Sequence, residues 1–115
     1  MRLSFDDRAL GDLEGIYHWI ARDSPKSAKA VVDRIFASTE LLASFPYIGR
    51  PGRDEGTREW VAPRLPYIVV YEVHEASNEV IVIAVFHGAQ DWEKRLTERR
   101  SPGSDEWRPW WIERR

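Results

Sequence analysis

The chain has 115 residues, of which 43% are hydrophobic and 31% are charged, a balance that argues against wholesale disorder and predicts one domain with one core. It contains no cysteine, which excludes disulfides and thiolate metal sites and favours a reducing cytosol. The formal net charge of −2 argues against a strongly basic, nucleic-acid-binding protein.

The N-terminal half predicts a short strand and two amphipathic helices. Residues 2–5 alternate between polar and apolar side chains, as a short strand does. Asp6 or Asp7 can cap a helix over residues 7–21, because a carboxylate accepts hydrogen bonds from free backbone N–H groups. Ser24 followed by Pro25 predicts a second helix over about residues 25–45. So short a link predicts an antiparallel helical hairpin. The apolar stripe of the first helix comprises Leu10, Leu13, Ile16, Tyr17 and Ile20.

The N-terminus lacks the apolar core of a signal peptide, and no apolar run reaches transmembrane length, so we expect no membrane span.

The C-terminal half predicts three strands. Residues 46–56 are dense in Pro and Gly and predict a loop, and residues 57–61 then alternate as a strand. Residues 66–73 and 79–86 are rich in β-branched and aromatic residues and are separated by polar residues, which predicts an antiparallel hairpin. Because side chains alternate along a strand, we expect Val80, Val82, Ala84 and Phe86 to share one face. Both faces are apolar, so helices cover one and the other is left for a partner.

This order of elements predicts the fold class. We expect an α+β fold in which an N-terminal strand and a two-helix hairpin pack on one face of a small antiparallel β-sheet. The last residues differ in composition from the rest, because residues 101–104 read as a linker and three of the six tryptophans follow it.

The polar residues most suggestive of chemistry lie near the predicted end of the sheet. Arg58 and Arg64 flank the second predicted strand, His87 ends the last one, and Gln90 and Asp91 follow. Two cations near a histidine can hold a phosphate and move a proton, as RNA cleavage by internal 2′-OH attack requires. Alternatively, the arginines are solvated strand-edge charges, and His87 and Asp91 cap their elements. The three histidines lie on different elements, so we expect no metal site, and no phosphate-binding glycine loop or other cofactor motif is present.

Five segments in order resemble the RelE/ParE superfamily of toxins from bacterial type II toxin–antitoxin systems. They are residues 12–20, with the sequence DLEGIYHWI, 45–52 (FPYIGRPG), 57–61 (TREWV), 67–73 (YIVVYEV) and 85–92 (VFHGAQDW). The resemblance implies a toxin domain over residues 1–95, followed by a charged, Trp-rich extension over residues 96–115 that members of the family mostly lack.

The resemblance also implies two possible targets. RelE-like members cut mRNA in the ribosome, whereas ParE-like members act on DNA gyrase without being nucleases. Arg58 matches the shared arginine and His87 the shared terminal histidine, but no tyrosine follows the last strand and the hairpin carries no lysine or arginine. We therefore favour a ParE-like gyrase toxin. The alternatives are a RelE-like mRNA endoribonuclease that uses His87, Arg58 and Arg64, and a non-toxic protein-binding module.

The resemblance further implies a cognate antitoxin whose flexible C-terminal segment wraps the helices and the sheet. It implies a cytoplasmic protein that forms a homodimer or a toxin–antitoxin hetero-oligomer. Candidate residues for contact with the target are Arg58, Arg64, His87, Gln90, Asp91 and Trp92.

Overall fold

The structure is a computed structural model that describes residues 1–88. In chain order its elements are β1 (Arg2–Phe5), α1 (Asp7–Ala21), α2 (Pro25–Ser44), β2 (Arg50–Pro51), β3 (Arg58–Val61), β4 (Tyr67–His74) and β5 (Glu79–His87). None of the helices in this part of the chain is long and apolar enough to cross a membrane.

Side-chain caps begin both helices where the sequence predicts them. The Asp6 carboxylate accepts a hydrogen bond of 2.9 Å from the Ala9 amide, and Asp6 has the extended backbone of an N-cap. The Ser24 hydroxyl accepts from the Ser27 amide at 3.1 Å, and Pro25 opens α2, where it displaces no intrahelical hydrogen bond. The predicted helices are confirmed, with α2 ending at Ser44 because Phe45 leaves helical geometry at φ −131° and ψ 71°.

The five strands form one sheet in the order β1-β5-β4-β3-β2. The α+β class and the helical hairpin are confirmed, but the sheet is mixed rather than antiparallel, because β1 runs parallel to β5 from the pair Arg2–Glu79 to the pair Phe5–Val82. Parallel neighbours need a long connection, which the helical hairpin and the intervening strands supply. The predicted loop over residues 46–56 also contains the short edge strand β2, where Pro51 is tolerated.

The main core lies between the helices and one face of the sheet, which we call the helix-side face. Its buried members include Leu13 and Ile16 of α1 and Ile35 and Leu42 of α2, and they pack on Val69, Tyr71, Val80, Val82 and Val85. The predicted stripe of α1 is wrong at Leu10, which is 44% exposed. Ala9 and Asp12 are buried instead, and the Asp12 carboxylate accepts the Val85 amide at 2.8 Å.

A β-bulge in β5 overturns the expected alternation of its side chains. Tyr71 pairs with Val82 and Val70 pairs with Ala84, so Ile83 is an extra residue without a partner on β4. Before the bulge, Val80 and Val82 point to the helices, and after it Val85 does. The prediction that Ala84 and Phe86 share the face of Val80 and Val82 is therefore wrong. Ala84 and Phe86 instead cluster with Ile68 and Val70 on the opposite face.

Candidate functional site

Arg58, the arginine that matches the resemblance, is engaged within the protein. Its Nε atom donates to the Gly49 carbonyl at 3.0 Å, and its Nη2 atom donates to the Tyr47 carbonyl at 3.3 Å. Its guanidinium carbon also lies 5.2 Å from the centre of the Tyr47 ring, within range of a cation–π interaction. Arg58 therefore holds the loop after α2 against β3, which uses two of its donors.

The Tyr71 hydroxyl anchors the same loop from β4. It accepts a hydrogen bond of 2.9 Å from the Gly49 amide and donates one of 2.8 Å to the Pro46 carbonyl. Tyr71 pairs with Arg58 across the two strands, so both side chains reach the loop from neighbouring positions of the sheet. Together these two residues fix the course of residues 46–49, and we call them the loop anchor.

We expect Tyr71→Phe to destabilise the protein by about 1–3 kcal/mol, because it leaves the buried Gly49 amide and the Pro46 carbonyl without their partner. Tyr67→Phe is the matched control, because Tyr67 is also a buried tyrosine of β4 but is not the partner of the Gly49 amide or the Pro46 carbonyl. Urea unfolding of the two variants checks the prediction. Equal loss of stability in both would contradict a specific role for the Tyr71 hydroxyl.

His87 and Arg64 lie at the other end of the sheet. The His87 ring stands edge-on to the Tyr67 ring at 5.8 Å, and its Nδ1 atom is buried without a hydrogen-bond partner in the described part of the chain. Burial lowers the pKa of His87 and raises the pKa of Tyr67. Arg64 is exposed in the turn before β4, where its backbone has a φ of 62°. The structure thus places one cation and a neutral imidazole at this end.

The predicted site residues are divided between two places. Arg58 pairs with Tyr71 whereas His87 pairs with Tyr67, and those partners lie four positions apart in β4, about 13 Å along the strand. Arg64 and His87 share one end of the sheet, and Arg58 lies with Tyr47 toward the other. Gln90, Asp91 and Trp92 lie outside the described residues.

The His87 environment predicts a pH dependence of stability. Because the folded-state pKa lies below the unfolded value of about 6.5, the unfolded chain binds more protons, and stability falls as the pH drops through that value. We expect the melting temperature to fall between pH 7.5 and 5.5, and to fall less in His87→Gln. Thermal unfolding at the two pH values measures this decrease in the unchanged protein and in His87→Gln. An equal decrease of the melting temperature in both would contradict the role of His87 in the pH dependence.

An exposed apolar surface at the end of α2 was not identified from the sequence. It consists of Leu41, Phe45, Tyr47 and Ile48, whose exposed fractions run from 39% to 59%. A shallow cavity of about 400 Å³ opens there, lined by residues 44–48. The signal in the sequence is that Leu41 and Phe45 lie four residues apart and therefore on one side of the predicted second helix. We call these four residues the α2-end surface. Residues 1–88 contain no cluster of side chains suited to a metal ion.

The family described as "ParE toxin of type II toxin-antitoxin system, parDE" matches residues 3–92 of the sequence. The chain belongs to this ParE toxin family. The protein "Putative toxin Y4kP" of Sinorhizobium fredii is 39% identical to it over 95 residues, which are 83% of this chain and 96% of that protein.

Solved structures share the fold of this ParE-family chain. The chromosomal ParDE system of P. aeruginosa contains a chain with a TM-score of 0.65 and 25% identity, covering 74% of this chain and 92% of that one. The intact E. coli RelBE toxin–antitoxin complex contains one with a TM-score of 0.54 and 21% identity, covering 73% and 92%. The two helices on a five-stranded mixed sheet are thus the architecture of this superfamily.

Proposed function

We propose that this ParE-family toxin arrests bacterial growth by inhibiting DNA gyrase in the cytoplasm, and that a cognate antitoxin neutralises it. The observation that carries the proposal is the match to the ParE toxin family over residues 3–92, which includes every described strand and helix from Leu3 onward. Inhibition by binding requires no catalytic group, so the target is recognised by surface contacts alone.

The charges of the sheet support an inhibitor over a nuclease. Neither β4 nor β5 contains a lysine or an arginine, and Arg58 spends two donors on the carbonyls of Gly49 and Tyr47. Ribonucleases that act on long RNA need clustered cations, because neutralising phosphates supplies much of their affinity. Arg64 and His87 supply few positive charges for neutralising RNA phosphates.

The α2-end surface supports an antitoxin partner. Exposed aromatic and aliphatic side chains next to a shallow cavity suit an amphipathic segment that folds as it binds. The P. aeruginosa and E. coli structures are toxin–antitoxin assemblies, and we extend that pairing to this chain. The toxin domain proper covers residues 1–95 in this proposal.

Expression of the chain alone in bacteria is expected to stop growth, and co-expression with an adjacent gene for a small DNA-binding protein is expected to restore it. Growth curves with and without inducer measure both effects, and an immunoblot verifies soluble protein. Normal growth at verified expression of folded protein would overturn the proposal in favour of a non-toxic binding module. Arrest that the adjacent gene fails to relieve would overturn only the antitoxin part.

The end of the sheet near His87 favours a second candidate, a RelE-like mRNA endoribonuclease. A histidine whose pKa is lowered by burial is neutral near pH 7 and can accept a proton from a 2′-hydroxyl. Arg64 is exposed at the same end and could contact a phosphate. The two candidates make opposite predictions for RNA products and for the effect of His87→Ala.

A further inference from the structure

The turn between β3 and β4 holds an arginine in a backbone conformation that arginine rarely adopts. The Leu65 amide donates to the Ala62 carbonyl at 3.2 Å and so closes a four-residue turn, whose central residues are Pro63 and Arg64. Proline fixes its own φ at about −65°, whereas Arg64 has a φ of 62°. A negative φ followed by a positive one is typical of a type II turn, in which the second of these positions favours glycine or asparagine. A Cβ atom at Arg64 therefore costs stability, because it crowds the backbone.

The other left-handed residues of the described chain are of types that suit this conformation. Among residues 1–88, positive φ values also occur at Gly56, with 82°, and at Asn78, with 55°. Glycine has no Cβ atom, and asparagine tolerates the left-handed region better than most side chains do. Arg64 has neither advantage. The chain thus carries a strain at this turn that it avoids at the other two.

The contacts of Arg64 within the described chain do not account for the strain. Ala62 and Leu65 are buried on either side of the tip, and the Pro66 carbonyl just after it accepts the Gly88 amide at 2.8 Å. These contacts fix the backbone of the turn. The Arg64 side chain is exposed, and among residues 1–88 its guanidinium makes no hydrogen bond or ion pair that would offset the strain. A strained residue held by its surroundings is a mark of a functional position.

The surroundings of Arg64 suit a carboxylate of a protein better than the phosphates of a nucleic acid. Val61, the last residue of β3, is 58% exposed just before the turn. The neighbouring strands β4 and β5 contain Glu72 and Glu79 but no lysine or arginine, whereas binding to phosphates needs clustered cations. One guanidinium beside an apolar side chain is typical of protein–protein contacts, in which arginine is enriched and can pair with a carboxylate through two hydrogen bonds.

We infer that the turn over residues 62–65 contacts the protein that the toxin inhibits, and that the Arg64 guanidinium pairs there with a carboxylate. The inference rests on the proposed inhibition of gyrase and names a residue that recognises the target. An arginine at this position lowers the stability of the fold and supplies a binding group at a fixed place. Replacing it by a residue that suits the turn should therefore raise stability and lower activity together.

Three variants of the full chain test the inference. Arg64→Gly removes the guanidinium and suits the left-handed backbone, and Arg64→Glu reverses the charge. Arg22→Gly is the matched control, because Arg22 is also an exposed arginine in a turn but has an ordinary φ of −62°. Thermal unfolding measures the stability of each variant. A plasmid supercoiling assay measures inhibition of gyrase, and a binding assay with purified gyrase is run with and without DNA.

We expect Arg64→Gly to melt about 4 °C above the unchanged chain, because the strain of the turn is relieved. We expect the same variant to require about tenfold more protein for half-inhibition of supercoiling. Arg64→Glu should inhibit still less, because like charges repel. Arg22→Gly should inhibit as the unchanged chain does and should gain no stability. Arg64→Gly should also bind gyrase about tenfold more weakly in the absence of DNA, as a contact with a protein carboxylate requires.

Inhibition by Arg64→Gly at the strength of the unchanged chain would overturn the inference and leave the proposed function standing. Equal inhibition by Arg64→Gly and Arg64→Glu would contradict a carboxylate as the partner group. Weaker binding of Arg64→Gly only in the presence of DNA would assign the contact to a phosphate instead. An Arg64→Gly protein no more stable than the unchanged chain would show that the turn is not strained. If the unchanged chain itself does not inhibit gyrase, the proposed target is wrong and the inference fails with it.

Discussion

Supercoiling by DNA gyrase is expected to fall when the purified toxin is added, while mRNA on translating ribosomes acquires no new cuts. The expectation follows from the ParE family match and from a sheet whose two longest strands carry no lysine or arginine. A gel assay of plasmid topology measures the first effect, and primer extension on mRNA in a translating extract measures the second. Both assays use the same preparation, so an inactive sample cannot be mistaken for a selective one.

His87→Ala separates the two mechanisms by the size of its effect. In a nuclease, removing a general acid–base group lowers the cleavage rate by roughly 10²–10⁴. In a gyrase inhibitor, the change alters affinity only if His87 lies in the contact surface, and neither protein yields RNA products. His74→Ala is the matched control, because His74 lies in the same sheet but is exposed at the hairpin turn. Ribosome-dependent cleavage by the unchanged protein that only His87→Ala abolishes would replace the gyrase proposal with the RelE-like one.

Gly49→Ala is expected to destabilise the protein by roughly 2–4 kcal/mol, because an added methyl group overpacks the loop and leaves buried hydrogen-bonding groups without partners. The new carbon would lie 2.7 Å from both the Glu59 carbonyl oxygen and the Tyr71 hydroxyl. The carbonyl belongs to the backbone of β3, so the loop must shift instead. That shift would break the bonds from the Gly49 amide to Tyr71 and from Arg58 to the Gly49 carbonyl.

Gly11→Ala is the control, and we expect it to raise the stability rather than lower it. Gly11 lies on the exposed side of α1, and a carbon added there meets nothing within 4 Å. Because Ala favours a helix over Gly, we expect a gain of about 1 kcal/mol. Urea unfolding of both variants gives the comparison. A Gly49→Ala protein as stable as the unchanged chain would mean that the loop anchor is not a rigid part of the fold.

Local signals in the sequence sufficed for the helices. The Asp6 and Ser24 caps and Pro25 act through hydrogen bonds and backbone angles within a few residues, so they are readable before any tertiary contact forms. The two long strands were readable for a similar reason, since their β-branched and aromatic residues suit a pleated, buried surface. The order of these elements then implied the α+β class.

The candidate site was only partly readable. Arg58 and His87 could be singled out by their resemblance to a family, but which atoms they contact depends on partners distant in the chain. The Arg58 guanidinium donates to the carbonyls of Tyr47 and Gly49, and no spacing rule in the sequence connects that loop to β3. The α2-end surface was missed because the spacing of apolar residues along the chain does not reveal which of them the rest of the fold leaves exposed.

The helices, the two long strands and the family could be predicted without coordinates, because each depends on residue type within a short window or on the order of such windows. The tertiary structure alone decided the parallel placement of β1, the bulge at Ile83 and the internal engagement of Arg58. All three arise where separated segments meet. A one-residue bulge reverses the face of every later side chain, so Ala84, Phe86 and His87 take their sides from the pairing of β5 with β4 and not from local alternation.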